Sequence, residues 1–116
     1  MSIEVPLAEL VEAVSPYPWG YLLAVSSDGQ ARVLSVPTDY RDGRFHLEAG
    51  ARTVAAAVAN PSVTIVLPPS DGRRYSLIVD GIATVDEGAQ PGGTIRVTPQ
   101  RAVLHRPALS YGSVGA

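Results

Sequence analysis

FHLEAGARTVAAAVANPSVTIVLPP, residues 45–69, is the stretch whose reading decides the fold. Phe45, Leu47 and Ala49 alternate with polar positions, so 45–49 reads as a strand with one apolar face. Gly50 marks a turn, where a glycine admits positive φ or the close approach of a ligand. An alanine-rich helix follows over 53–59, because alanine has the highest helix propensity. Asn60-Pro61 stops it, and the β-branched run at 63–67 is strand again. The junction Gly50-Ala51-Arg52-Thr53 is the chemically informative part. A first helical turn presents unpaired N–H groups and the positive end of the dipole, while Arg52 adds a permanent cation and Thr53 a hydroxyl. Such a group of donors suits an anion, phosphate above all. The same four residues also admit a plain reading, in which Gly50 turns the chain, Thr53 caps the helix and Arg52 is a solvated charge.

Upstream, Asp42-Gly43 and Asp28-Gly29 are hairpin signals. They separate a nearly continuous apolar strand at 21–25, a return strand at 30–36 and the strand at 45–49. On the return strand Arg32 shares a face with Leu34 and Val36. A guanidinium there either lies at a rim with its stem packed down, or meets an anion. Nearer the N-terminus, Leu7, Leu10, Val11 and Val14 form a helical stripe over 5–14, which Ser15-Pro16-Tyr17-Pro18 ends. Downstream, a turn at 68–72 leads to the alternating run 75–85, with Asp80-Gly81 in its middle. Two four-residue strands would make a poor hairpin, so one long strand bent at the glycine is expected. After a loop at 86–93, 94–97 and 102–104 give a last strand interrupted around Pro99, at an edge or a bulge. Residues 107–116 are expected to be a loose tail or to lie across a neighbour.

These elements predict a mainly β (α+β) chain with about six antiparallel, hairpin-linked strands, an N-terminal helix and one helix between the third and fourth strands. At 116 residues, with 46% hydrophobic and 17% charged residues, it reads as one domain over 1–106 plus the tail. There is no cysteine, which rules out a disulfide framework and thiolate metal ligands. All nine basic residues are arginine, so Schiff-base chemistry on a lysine is excluded and any cation in a site is a guanidinium. Two histidines, His46 and His105, are too few for an ordinary histidine-built metal centre. A net charge of −2 argues against general nucleic-acid binding. No apolar run approaches the ~20 residues of a membrane helix. Glu4, Glu9 and Glu12 stand where a secretion signal would be basic. A soluble, cytoplasmic protein is expected.

Taken together, GYLLAVSSDGQARVLSV (20–36), FHLEAGARTVAAAVANPSVTIVLPP (45–69) and YSLIVDGIATV (75–85) resemble the pyridoxamine 5′-phosphate oxidase-like family, the flavin-binding split barrels. The likeness runs over roughly 5–106 and lies in the ordered succession of elements. It implies a six-stranded split barrel that forms a homodimer. FMN would lie in a cleft at the dimer interface, its phosphate at the start of the helix after the third strand. In the oxidase proper the second strand carries an arginine and, five residues on, a lysine; the helix start carries Ser-Arg-Lys. Arg32 and Arg52 match the two arginines, whereas Pro37 stands at the strand lysine, and Ala51 and Thr53 replace the serine and lysine of the triplet. The cofactor-binding residues implied are Arg32, Leu34, Leu47, Glu48, Arg52 and Thr53. Deazaflavin (F420)-dependent relatives use the same cleft, and some members carry no cofactor. The oxidase's C-terminal segment is not recognisable after VTPQRAVLHRP (97–107), so a true pyridoxamine phosphate oxidase is not expected.

No acid–base pair stands out as catalytic. His46 and Glu48 lie opposite Phe45 and Leu47, either reaching a cofactor ring or simply exposed. His105 beside Arg106 could meet a substrate anion or face solvent. Trp19 and Tyr21 could lie against a ring from the partner or anchor a turn. The leading expectation is an FMN-binding oxidoreductase, with an F420-dependent reductase as the alternative. A cofactor-free dimeric ligand-binding or interaction module is the second class. An OB-like nucleic-acid barrel, suggested by Arg73-Arg74-Tyr75, is the third; seven scattered aromatics speak against it.

Overall fold

The computed structural model describes residues 2–70, 74–87 and 92–106. In chain order the elements are β1 (Ser2–Val5), a 3-10 turn (Leu7–Glu9), α1 (Leu10–Ala13), β2 (Trp19–Val25), β3 (Ala31–Pro37) and β4 (Tyr40–Arg41). Then come β5 (Arg44–Ala49), α2 (Ala51–Ala59), β6 (Ser62–Leu67), β7 (Ser76–Glu87) and β8 (Gly93–His105). Seven strands lie side by side in the order β3-β2-β6-β7-β8-β5-β4, and β1 pairs with β8 beside β5. All pairings are antiparallel. The sheet curls so that β3, at one end of the order, approaches β5 near the other. This is a mainly β half-barrel, as expected, with seven strands along the sheet rather than six.

The inward face is set by period-two alternation. Leu22 and Ala24 of β2, Phe45 and Leu47 of β5, Ile65 and Leu67 of β6, Leu77 and Val79 of β7, and Ile95 and Val97 of β8 are all buried. α2 closes the barrel with Val54, Ala56 and Ala57. Burying a valine-sized side chain contributes about 1.5–3 kcal/mol, so this short helix is held mainly by packing.

Two turn expectations are met in detail. Asp42 and Gly43 both take positive φ, 54° and 73°, as a two-residue I′ hairpin between β4 and β5 requires. Asp80-Gly81 bends one continuous strand: the register passes from Asp80↔Arg101 to Gly81↔Pro99, leaving Gln100 as the extra residue of a bulge. A Cβ on Gly81 would lie 2.6 Å from the Thr98 carbonyl oxygen, so glycine is required there by close approach. β8 also shows why Pro99 is tolerated in an interior strand. Pairing with β5 ends at Val97 and pairing with β1 begins at Ala102, so the missing N–H falls in the gap between two partners.

The N-terminus departs from the expected helix over 5–14. Ser2–Val5 is a strand, and the helical part is a 3-10 turn followed by four residues of α-helix. Of the predicted stripe only Leu10 and Val14 are buried; Leu7 and Val11 are exposed. Gly50 also differs, with φ −77° and ψ 174°, ordinary extended geometry that demands no glycine. The tail 107–116 and Arg73 lie outside the described residues. No helix among the described residues is long and apolar enough to cross a membrane.

Candidate functional site

α2 begins at Ala51, with Gly50 as its N-cap and no side-chain cap. Thr53 therefore does not cap the helix, and the first-turn N–H groups are left to solvent or a ligand. At its other end the helix is fastened to the β2–β3 turn. The Asn60 side-chain amide donates to the carbonyl oxygens of Val25, at 2.8 Å, and Ser26, at 3.3 Å. The turn itself is a closed network. Ser26 N–H donates to the Gln30 carbonyl, and Gly29 N–H to the Ser26 carbonyl, each at 2.9 Å. Gln30 N–H donates to Asp28 Oδ1 at 3.1 Å, and the Ser26 hydroxyl hydrogen-bonds Asp28 and the Gln30 carbonyl.

Between these two pieces lies a cavity of about 200 Å³ lined by Ser26, Ser27, Arg32, Arg52, Ala55 and Ala56. Arg52, Ala55 and Ala56 are spaced i, i+3, i+4 and present one flank of α2. Arg32 rises from the inner face of β3, opposite the small buried Ala24. Its Nε is cut off from solvent and has no hydrogen-bond partner. Neither arginine forms an ion pair among the described residues. Asp28, on the adjoining turn, has its pKa held below the usual range. The Ser26 hydroxyl is the main cause, the Gln30 N–H the next, and the Arg32 charge a smaller one.

Of the six residues expected to bind a cofactor, Arg32 and Arg52 meet in this cavity. Leu34 is half-buried, two residues along β3 from Arg32. Thr53 is half-buried on α2 and does not line the cavity; Leu47 is in the core. Glu48 is exposed and accepts a hydrogen bond from the Thr94 hydroxyl at 2.8 Å. Sequence reasoning missed Ser26 and Ser27. The Asp28-Gly29 hairpin signal reports turn geometry alone, and the two serines before it carry no pattern of their own.

The other candidates lie elsewhere. His46 Nε2 hydrogen-bonds the Arg41 carbonyl at 3.2 Å, and His105 Nδ1 pairs with the Ser2 hydroxyl at 3.0 Å. Trp19 and Tyr21 are exposed and meet edge-on, centroids 5.1 Å apart. Tyr75 lies beneath the Arg106 guanidinium, 5.5 Å from its ring centroid. No group of three or more metal-ligating side chains occurs among the described residues.

The curled sheet, with its helix after β5, is the split barrel of the pyridoxamine 5′-phosphate oxidase-like proteins. Two uncharacterised proteins, from Mycobacterium bovis and Mycobacterium tuberculosis, are 35% identical to the chain over 117 aligned positions, covering 90% of it and 82% of each of them. The chain belongs to the family of these mycobacterial proteins. No family model matches it. Among solved structures, an FAD-binding protein from Mesorhizobium loti has a TM-score of 0.68 at 17% identity, covering 93% of this chain and 99% of its own. The heme storage protein of Vibrio cholerae has 0.68 at 15%, covering 85% and 93%. An F420 reductase has 0.65 at 17%, covering 78% and 94%. At these identities the likeness is one of fold.

Proposed function

We propose that the chain binds a phosphorylated redox cofactor, FMN in preference to F420, with its phosphate in the Arg32–Arg52 cavity, and works as an oxidoreductase-type homodimer. One observation carries this reading: Arg32, whose Nε is buried without a hydrogen-bond partner, and Arg52 line the same cavity with no ion pair to either among the described residues. A buried guanidinium without a counter-charge is costly, and an anion between the two guanidiniums offsets that cost through charge-assisted hydrogen bonds. The uncapped start of α2 adds the helix dipole to the same neighbourhood. When bound, a flavin or deazaflavin supplies the hydride chemistry, and the protein's part is to hold and orient it. Within that division Arg32 and Arg52 anchor the phosphate.

The dimer rests on the outer face of β2 and β3. Trp19, Tyr21, Val25 and Val33 are 41%, 37%, 41% and 61% exposed there. Large apolar groups adjoining one another on a sheet surface mark an interaction site, and a second copy of the chain would cover them. In this reading the cofactor ring lies in a cleft between the copies, because the cavity itself is about 200 Å³ and holds little beyond the phosphate end.

A cofactor-free binding module is the second reading, favoured by Pro37 and Thr53 at positions where a lysine, and Ala51 at a position where a serine, would strengthen the anion site. The visible spectrum of the purified protein, followed by titration with FMN, F420 and heme, decides. FMN binding that weakens roughly 10- to 150-fold in Arg52→Ala supports the first reading. No flavin or deazaflavin binding at millimolar concentration overturns it, and a heme spectrum with no flavin binding replaces it.

A further inference from the structure

We propose that Ser27 is the third ligand of the anion in this cavity, and that the group it selects is the tetrahedral end of a phosphate monoester. The inference rests on the reading of the cavity given above. The cavity has three walls, namely the flank of α2 with Arg52, the inner face of β3 with Arg32, and the β2–β3 turn with Ser26 and Ser27. Each wall offers a donor of its own. On the turn, the Ser26 hydroxyl is committed to Asp28 and the Gln30 carbonyl. The Ser27 hydroxyl has no hydrogen-bond partner among the described residues, and Ser27 is exposed within a cavity otherwise short of hydroxyls. Ala51 at the helix start has none to give, and Thr53 lies off the cavity.

The turn is held in place before any ligand arrives, by its internal hydrogen bonds and by the Asn60 clamp. Ser27 is thereby presented on a fixed backbone, and little ordering is left to do on binding. A carboxylate has two oxygens, which a single guanidinium fork uses up. A phosphate monoester has three terminal oxygens, one for each wall. That match in number favours phosphate over carboxylate ligands such as a propionate.

The test measures FMN, riboflavin and inorganic phosphate binding to the full chain as wild type, Ser27→Ala, Ser27→Thr and Arg52→Ala, with a thermal melt of each ligand-free protein. The expected result is an FMN affinity about 10-fold weaker in Ser27→Ala and largely recovered in Ser27→Thr. Riboflavin affinity and the ligand-free melting temperature should stay unchanged, and phosphate should compete with FMN. If Ser27→Ala binds FMN as tightly as wild type while Arg52→Ala does not, the arginine site stands and the role of Ser27 is overturned. If Arg52→Ala also binds FMN normally, or if the wild type binds neither FMN nor phosphate, the reading of the cavity falls and this inference with it. A Ser27→Ala protein that loses FMN and riboflavin equally would also overturn it, since a phosphate ligand cannot act on riboflavin.

Discussion

The side-chain amide of Asn60, the C-cap of α2, donates to the carbonyl oxygen of Val25, the last residue of β2, at 2.8 Å. The two residues are 35 positions apart in the chain, and their bond sets the distance between the helix flank and the β2–β3 turn. The cavity lies between the helix flank and the turn that this bond joins, lined by Arg52, Ala55 and Ala56 on one side and Ser26 and Ser27 on the other.

Asn60→Ala should therefore act on both stability and binding. Loss of the amide removes one 2.8 Å bond and a weaker second one, costing about 1 kcal/mol of unfolding free energy. FMN affinity should fall as well, because Arg52 and Ser27 no longer keep their spacing. Urea denaturation paired with cofactor titration measures the two effects; a stability loss with unchanged affinity would mean that the clamp does not shape the site.

Arg32→Leu should separate function from stability in the opposite sense. Replacing a guanidinium whose buried Nε has no partner by an apolar side chain relieves an unsatisfied donor, so the ligand-free protein should gain about 1 kcal/mol. FMN binding should be lost in the same variant. A lowered melting temperature would show that Arg32 is held by contacts that matter to the fold.

At the bulge, Gly81→Ala places a methyl 2.6 Å from the Thr98 oxygen and 2.7 Å from Val97 Cγ1. One strand must move, and overpacking of this kind costs about 1–3 kcal/mol. Gly29→Ala meets no atom within 4 Å and carries only the strain of its positive φ, so it should cost less. Equal losses in chemical denaturation would contradict the assignment of Gly81 to close strand approach.

Asp28 should titrate below its ordinary value of 3.8, chiefly because the Ser26 hydroxyl favours the carboxylate. A depressed folded-state pKa contributes stability that is full above the unfolded pKa and disappears as pH falls through the folded one. The β2–β3 turn should thus keep its Asp28 contribution at neutral pH and lose it only at strongly acid pH. Carboxyl-carbon NMR of Asp28 checks the direction, and Asp28→Asn should flatten the acid limb of the stability curve.

Tyr21→Glu or Val33→Glu should split the proposed dimer, since each puts a charge into the apolar outer face of β2 and β3. Sedimentation should move from twice the 12.1 kDa chain mass to the chain mass itself. Wild-type protein already sedimenting as a monomer at micromolar concentration would remove this part of the reading.

Much of the fold was legible where short-range rules and long-range packing agree. Asp42-Gly43, the alanine run of α2 and the bend at Gly81 each carry a local signal that the sheet goes on to use. The failures share a cause, since a tertiary partner decided what the local pattern left open. Ser2–Val5 is a strand because the second half of β8 needs a neighbour, and four residues of alternation could not outweigh a helical stripe at 7–14. Gly50 suggested a left-handed turn, yet the chain enters α2 in extended geometry. Arg32 and Arg52 were separately readable as candidate anion ligands, and both line one cavity. Ser27 was not readable, because its approach to Arg52 is a tertiary one between the β2–β3 turn and α2, although it lies close to Arg32 along the hairpin.

β8 pairs with β1 and β5 along one edge and with β7 along the other, so Ser2 ends up opposite His105, 103 positions later. During synthesis on the ribosome, β1 and β5 must therefore wait with their edges open until residues 93–105 have left the exit tunnel. Hairpin β2–β3 can form early, but the barrel wall cannot close in step with translation, and non-local pairing of this kind is slow. Until then Phe45 and Leu47, buried in the finished core, lack the β8 partners Val97 and Ile95 that lie opposite them. The last described strand is thus also the timing element of biogenesis, and a stall before it would leave a chain that holding chaperones recognise.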